Sequence, residues 1–99
     1  MSFIKTKRIK NPKLLTQIRS KRCVACSKPP PNEAAHIQTK GSGGGDTEDN
    51  VFTLCRRCHM TQHRVGFLEF AKLYPAVKTW LNENKPGFLE NRALKLDVF

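Results

Sequence analysis

Long apolar runs are missing from this 99-residue chain. No stretch approaches the roughly 18 consecutive apolar residues of a membrane span. The start, Met1-Ser2-Phe3-Ile4-Lys5-Thr6-Lys7-Arg8, lacks the apolar centre of a secretory signal. The expectation is a soluble, cytoplasmic protein with no membrane partner. Acid is scarce as well, with 8 Asp and Glu against 18 Lys and Arg, a formal net charge of +10 and a pI near 9.9. Such a surplus points to a polyanionic partner, most often nucleic acid, the plainer alternative being a basic surface that serves solubility alone. Length is short too. One small domain of this size gains only a few kcal/mol from its core, so a cross-link or a metal is expected to supplement it.

The first 22 residues hold Lys5, Lys7, Arg8, Lys10, Lys13, Arg19, Lys21 and Arg22 and no acid, an arm suited to lie on phosphate. Within it Asn11 and Pro12 form a cap-plus-proline helix start, and Leu14, Leu15 and Ile18 recur at helical spacing, which predicts a helix over about residues 12–20. Lys28-Pro29-Pro30-Pro31-Asn32 can only be an extended turn. Glu33 to Gln38 reads as a short strand, Lys40 to Asp46 as a glycine-rich loop, and Asn50 to Leu54 as a second strand. Arg56 to Arg64 has helical composition, with Gly66 placed to end it. Phe67 to Tyr74 and Ala76 to Leu81 read as two further helical pieces split by Pro75, their apolar residues serving the core. The tail from Lys85 to Phe99 is only weakly periodic. The expected organisation is a basic arm and short helix at 1–22, a core at 23–66, and a helical extension of the same domain at 67–99.

The four cysteines form two Cys-x2-Cys units, Cys23/Cys26 and Cys55/Cys58. Each unit lets two thiolates converge on one ion, and two units make a closed tetrahedral zinc site with no position left for substrate, hence a structural one. The 28 residues between Cys26 and Cys55 exceed the 15–20 of an ordinary zinc ribbon, so an insertion separates the knuckles. Arg22, Arg56 and Arg57 nearby would favour thiolate. Redox-active thiols are the competing reading. They fit poorly, because thiol exchange rarely needs two matched pairs and its motif requires a βαβ context absent here.

His36, His59 and His63 are the only histidines. His59 and His63, four apart on the predicted helix, share a face and could hold one divalent ion, although such pairs are also common on solvated faces. His59 directly follows Cys58, so the zinc that anchors the helix start also aims the pair.

Ala35-His36-Ile37, the glycine-rich loop ending in Asp46, the run Asn50-Val51-Phe52-Thr53-Leu54-Cys55-Arg56-Arg57-Cys58-His59, and His63 together resemble the HNH endonucleases over roughly residues 22–66. The Gly-Ser-Gly-Gly-Gly-Asp stretch and Thr61-Gln62-His63 are most similar to small phage-encoded members, including the recombination-associated type. The resemblance implies an α+β fold, a small zinc-stabilised ββα-metal domain with flanking helices. It further implies a metal-dependent enzyme that nicks or cuts DNA phosphodiester bonds with little sequence preference. His36 would be the general base, Asn50 would brace the loop, and His59 and His63 would bind the catalytic ion, which could be Mg2+, Mn2+, Ni2+ or Zn2+. An imidazole suits the base because it titrates near neutral pH. DNA would be held by Arg56, Arg57 and Arg64 around the site and by Lys7 and Arg8 in the arm.

One departure stands out. Many HNH sequences carry Asp or His immediately before the base as a further ligand, and this chain has Ala35. Glu33, Asp46 or Asp49 could substitute, and the sequence does not choose between them. Ala35 is also what favours the alternative, a non-catalytic zinc-containing module that binds nucleic acid.

Overall fold

The computed structural model describes residues 9–38 and 44–97. Lys5, Lys7, Arg8 and the loop residues 40–43 lie outside the described residues. Helix α1 (Pro12–Arg19) begins as its sequence requires: the Asn11 side chain accepts from the Leu14 N–H at 3.1 Å and Pro12 fills the first turn. It ends one residue short of the expected boundary, where the Ser20 N–H turns back to the Gln17 carbonyl.

Strands β1 (Glu33–His36) and β2 (Val51–Leu54) pair antiparallel, with Glu33 opposite Leu54, Ala34 opposite Thr53, Ala35 opposite Phe52 and His36 opposite Val51. Alternation assigns each residue to one of two faces. Ala34 and Val51 pack with Leu14 and Ile18 of α1, and the Thr53 hydroxyl donates to the Ile18 carbonyl at 2.6 Å. On the opposite face Ala35, Phe52 and Leu54 join the larger core. Both strands are shorter than the expected 33–38 and 50–54 runs. The ladder continues for one further bond, Ile37 N–H to the Asn50 carbonyl at 2.7 Å, before the Asn50 side chain takes over the pairing.

Helix α2 (Arg56–Leu73) runs beyond the expected stop at Gly66, but Gly66 has φ 84° and ψ 165°, a non-helical break that divides it at the position the sequence marks. Helix α3 (Pro75–Asn84) starts at the proline that splits the C-terminal apolar stretch. The weakly periodic tail carries a further helix, α4 (Phe88–Asp97), which lies within the helical extension expected at 67–99 and whose bounds the periodicity did not mark. Its Leu89 enters the core, and the Arg92 guanidinium stands 4.8 Å from the centroid of the Phe88 ring. No helix among the described residues is long and apolar enough to cross a membrane.

Phe52, Phe70, Leu54, Val77 and Leu81 form the centre of the core beside Cys23, Cys55 and Cys58. The Phe52 ring lies 4.8 Å from Trp80 and 6.3 Å from Phe67, so β2, α2 and α3 share one aromatic contact. Phe70 is fully buried beneath it. Truncation by Phe70→Ala should therefore cost about 3–5 kcal/mol, read as a lowered urea midpoint of zinc-loaded protein with little change in slope. A midpoint within experimental error of wild type would show that Phe70 does not hold the helices to the sheet.

Candidate active site

The cysteines are brought together by two local structures. In the first knuckle the Ser27 N–H donates to the Cys23 carbonyl at 2.8 Å, with Ser27 at φ 66°, and the Cys23 N–H donates to the Lys28 carbonyl at 3.0 Å. The Val24 N–H meets the Thr53 carbonyl at 2.8 Å, docking this knuckle on the free edge of β2. Asn32, buried, donates to the Lys21 and Lys28 carbonyls and closes the turn. The second knuckle is the start of α2, where Cys55 is the N-cap and its Sγ accepts from the Cys58 N–H at 3.5 Å.

All four Sγ atoms lie within 4.8 Å of one another, the only such convergence of three or more metal-ligating groups among the described residues. Cys26 and Cys55 are 3.8 Å apart, which matches the edge of a tetrahedron whose metal–sulfur bonds are about 2.3 Å. The donor set fits zinc. Burial pushes the Cys55 thiol up, but the Cys58 N–H and the neighbouring thiols lower it further, to about 7. Cys58 is driven well above the usual thiol range, first by burial and then by Cys55. Of the three arginines expected near the thiols, the Arg22 guanidinium donates to the Ser27 carbonyl, that of Arg56 reaches Glu33, and Arg57 lines a depression with Cys26 and Cys55.

Asn50 is buried and uses its whole amide. Its oxygen accepts from the Gln38 N–H at 2.8 Å, and its nitrogen donates to the Gln38 and Gly45 carbonyls at 3.1 and 2.9 Å. This ties the end of β1 to the returning loop. A Cβ on Gly44 would strike the Gln38 carbonyl and the Asn50 amide, so the close approach requires glycine there. The loop delivers Asp46 to His36, with Nε2 and Oδ1 2.7 Å apart and both side chains largely buried.

His59 and His63 sit one turn apart on α2, their Nε2 atoms separated by 3.3 Å. Two cis ligands at about 2.0–2.1 Å from one tetrahedral ion would have this separation. The other ring nitrogen of His59, Nδ1, meets the Glu33 carboxylate at 2.8 Å, and the second oxygen of Glu33 meets Arg56 at 3.3 Å. The His59 hydrogen bond, followed by the His59 and Arg56 charges, holds Glu33 below the usual carboxylate range against the opposing pull of burial.

The three candidate acids are thus sorted. Glu33 contacts the histidine pair, Asp46 contacts His36, and Asp49 accepts from the Thr47 hydroxyl at 2.6 Å. Glu33 stands at Nδ1 of His59, while Nε2 of the same ring is the nitrogen that approaches His63. Its position two residues before Ala35, on the same strand face, was legible in the sequence; its choice of His59 depended on how α2 packs. Ala35 itself is fully buried. Among the described residues no hydrogen bond links His36 to His59 or His63.

Glu33, Arg56, His59, Met60, His63 and Arg64 line one open depression of about 480 Å³. Arg57 is exposed and borders a neighbouring depression with Met60, Thr61 and Arg64. Lys7 and Arg8 lie outside the described residues.

The family model of the HNH endonucleases matches residues 23–64. Over this segment the chain is similar to an HNH domain. The match takes in both knuckles, both strands and the first part of α2, and His36, Asn50, His59 and His63 fall inside it. No curated protein matches the chain.

Because Cys23, Cys55 and Cys58 belong to the hydrophobic core, removal of a bound metal should unravel more than a surface loop. Chelation should lower the melting temperature sharply, and Cys55→Ser should leave the chain largely unfolded at room temperature. A melting curve unchanged after metal loss, verified by elemental analysis, would exclude a structural metal.

Proposed function

We propose that the chain is a metal-dependent endonuclease that hydrolyses DNA phosphodiester bonds with low sequence specificity. The observation that carries this reading is the His59–His63 pair, its Nε2 atoms at ligand separation and its outer nitrogen held by Glu33, inside an HNH domain that also contains His36 and Asn50.

In this reading His36 accepts a proton from the attacking water, and Asn50 keeps the loop closed around it. His59 and His63 hold the divalent ion, which supplies positive charge against the phosphate and the leaving oxygen. Glu33, kept ionised, fixes the ring plane and tautomer of His59. Arg64 and Arg57 beside the depression, with the basic arm containing Lys7 and Arg8, bind backbone phosphates, which gives affinity without sequence readout. Zinc in the four-cysteine site has a structural role.

A second reading, a non-catalytic zinc-containing nucleic-acid-binding module, is favoured by one observation: the position before His36 is a buried alanine, so no third ligand comes from β1 there.

Supercoiled plasmid separates the two. With Mg2+, Mn2+, Ni2+ or Zn2+ the wild-type chain should nick it, and EDTA should stop the reaction. His36→Ala should lower the rate by a factor of about 100 or more while leaving zinc content and DNA affinity near wild type. His59→Ala should also lose cleavage, with weakened binding of a second ion in calorimetry on zinc-loaded protein. Plasmid left intact under all four ions supports the binding module. Equal cutting by wild type and His36→Ala removes His36 as the base.

A further inference from the structure

The His36 ring is held at one nitrogen, and what holds it is itself fixed from two other directions. Asp46 Oδ1 is 2.7 Å from His36 Nε2, while Oδ2 accepts from the Asn11 backbone N–H at 2.9 Å. The Asp46 N–H donates to the Ile9 carbonyl at 2.8 Å. Asp46 is buried, 4% exposed, and the His36 side chain is 15% exposed. The loop carboxylate is therefore pinned to the entry of α1 before it meets the imidazole.

A carboxylate offers only acceptors, so the nitrogen it faces in a neutral imidazole must be the one bearing hydrogen. We infer that Asp46 is a positioning residue that fixes His36 as the Nε2–H tautomer and leaves Nδ1 as the atom that takes the proton from water. The activity arm of this inference rests on the nuclease reading above. In the step, the proton of water passes to Nδ1 while its oxygen forms a new bond to phosphorus. The bond from phosphorus to the departing sugar oxygen breaks, and that oxygen takes a proton from solvent. His36 becomes imidazolium, with Asp46 against its Nε2–H, and returns the acquired proton to solvent.

Asp46→Asn keeps the shape and removes the chemistry. With its amide oxygen toward Asn11, the variant presents an N–H to Nε2 and forces hydrogen onto Nδ1; turned the other way, it sets an amide N–H against that of Asn11. Neither orientation satisfies both neighbours.

The test uses the full zinc-loaded chain with nitrogen-15 in its histidines, at a pH well above the ordinary imidazole range. The wild-type His36 should show a hydrogen-bearing Nε2 and a bare Nδ1, and Asp46→Asn should lose that pattern. On plasmid the variant should show a kcat at least about 100-fold lower with KM and zinc content close to wild type, the melting temperature falling by no more than one unsatisfied buried hydrogen bond costs. A wild-type spectrum with hydrogen on Nδ1 overturns the inference, and this measurement needs no variant to fold. So does an Asp46→Asn protein that cuts at the wild-type rate. If the wild type never cuts, the nuclease reading fails, and the spectrum still decides whether Asp46 sets the tautomer.

Discussion

Cys55 is where the parts of this molecule meet. It is at once the residue after β2, the N-cap of α2 and one of four thiols gathered within 4.8 Å. A helix that starts at a metal ligand has its rotation set by that ligand, because each later side chain follows at about 100° per residue. Cys58 thus points inward to the cluster, and His59 and His63 emerge together on the half-exposed side toward Glu33. Were the cluster to open, the knuckle of Cys23 and Cys26 would leave the free edge of β2, and the small core would lose three of its buried residues. In a domain with so few large apolar side chains, packing alone does not replace that constraint.

The loop between the strands is held by a different means, a polar network where an apolar core has no room. The buried amide of Asn50 bonds to three backbone groups, and Gly44 slips beneath it. Such networks stabilise only when every member is satisfied, and they then specify one geometry. Here that geometry delivers Asp46 to both His36 and the start of α1, so the segment entering α1 and the glycine-rich loop lock each other.

Much of this was legible in the sequence because it rests on local chemistry. Two Cys-x2-Cys spacings, Asn11 before Pro12, Gly66 and Pro75 act within a few residues, and the structure follows each of them. What escaped depends on meetings between distant segments. Helix α4 meets the core through Leu89, which is buried, and through Phe88, which packs on Phe67 of α2. The partner of Glu33 lies 26 residues away on another element, and that of Asp46 is chosen by how the loop closes. Composition marks these acids as turn or surface residues; only the packed register distinguishes their roles.

The same register accounts for the chain's departure at Ala35. Strand parity divides β1 between two environments: Ala34 and His36 belong to the face toward α1, Glu33 and Ala35 to the face toward α2. Ala35 lies opposite Phe52, with no exposed surface, inside the cluster that contains Cys58 and Phe70. A carboxylate at that position would sit in the apolar cluster only if paired or neutralised, since an unpaired buried charge costs several kcal/mol. Glu33, two residues earlier on the same face, stands where the strand reaches the half-exposed edge, and there a charge can meet both His59 and Arg56. The position directly before His36 is thus taken up by core packing, and the acid of β1 that meets α2 is Glu33, two residues toward the amino terminus. In that place it meets a histidine of α2; in the reading proposed above, the remaining positions around the ion would fall to water or to the substrate's own phosphate.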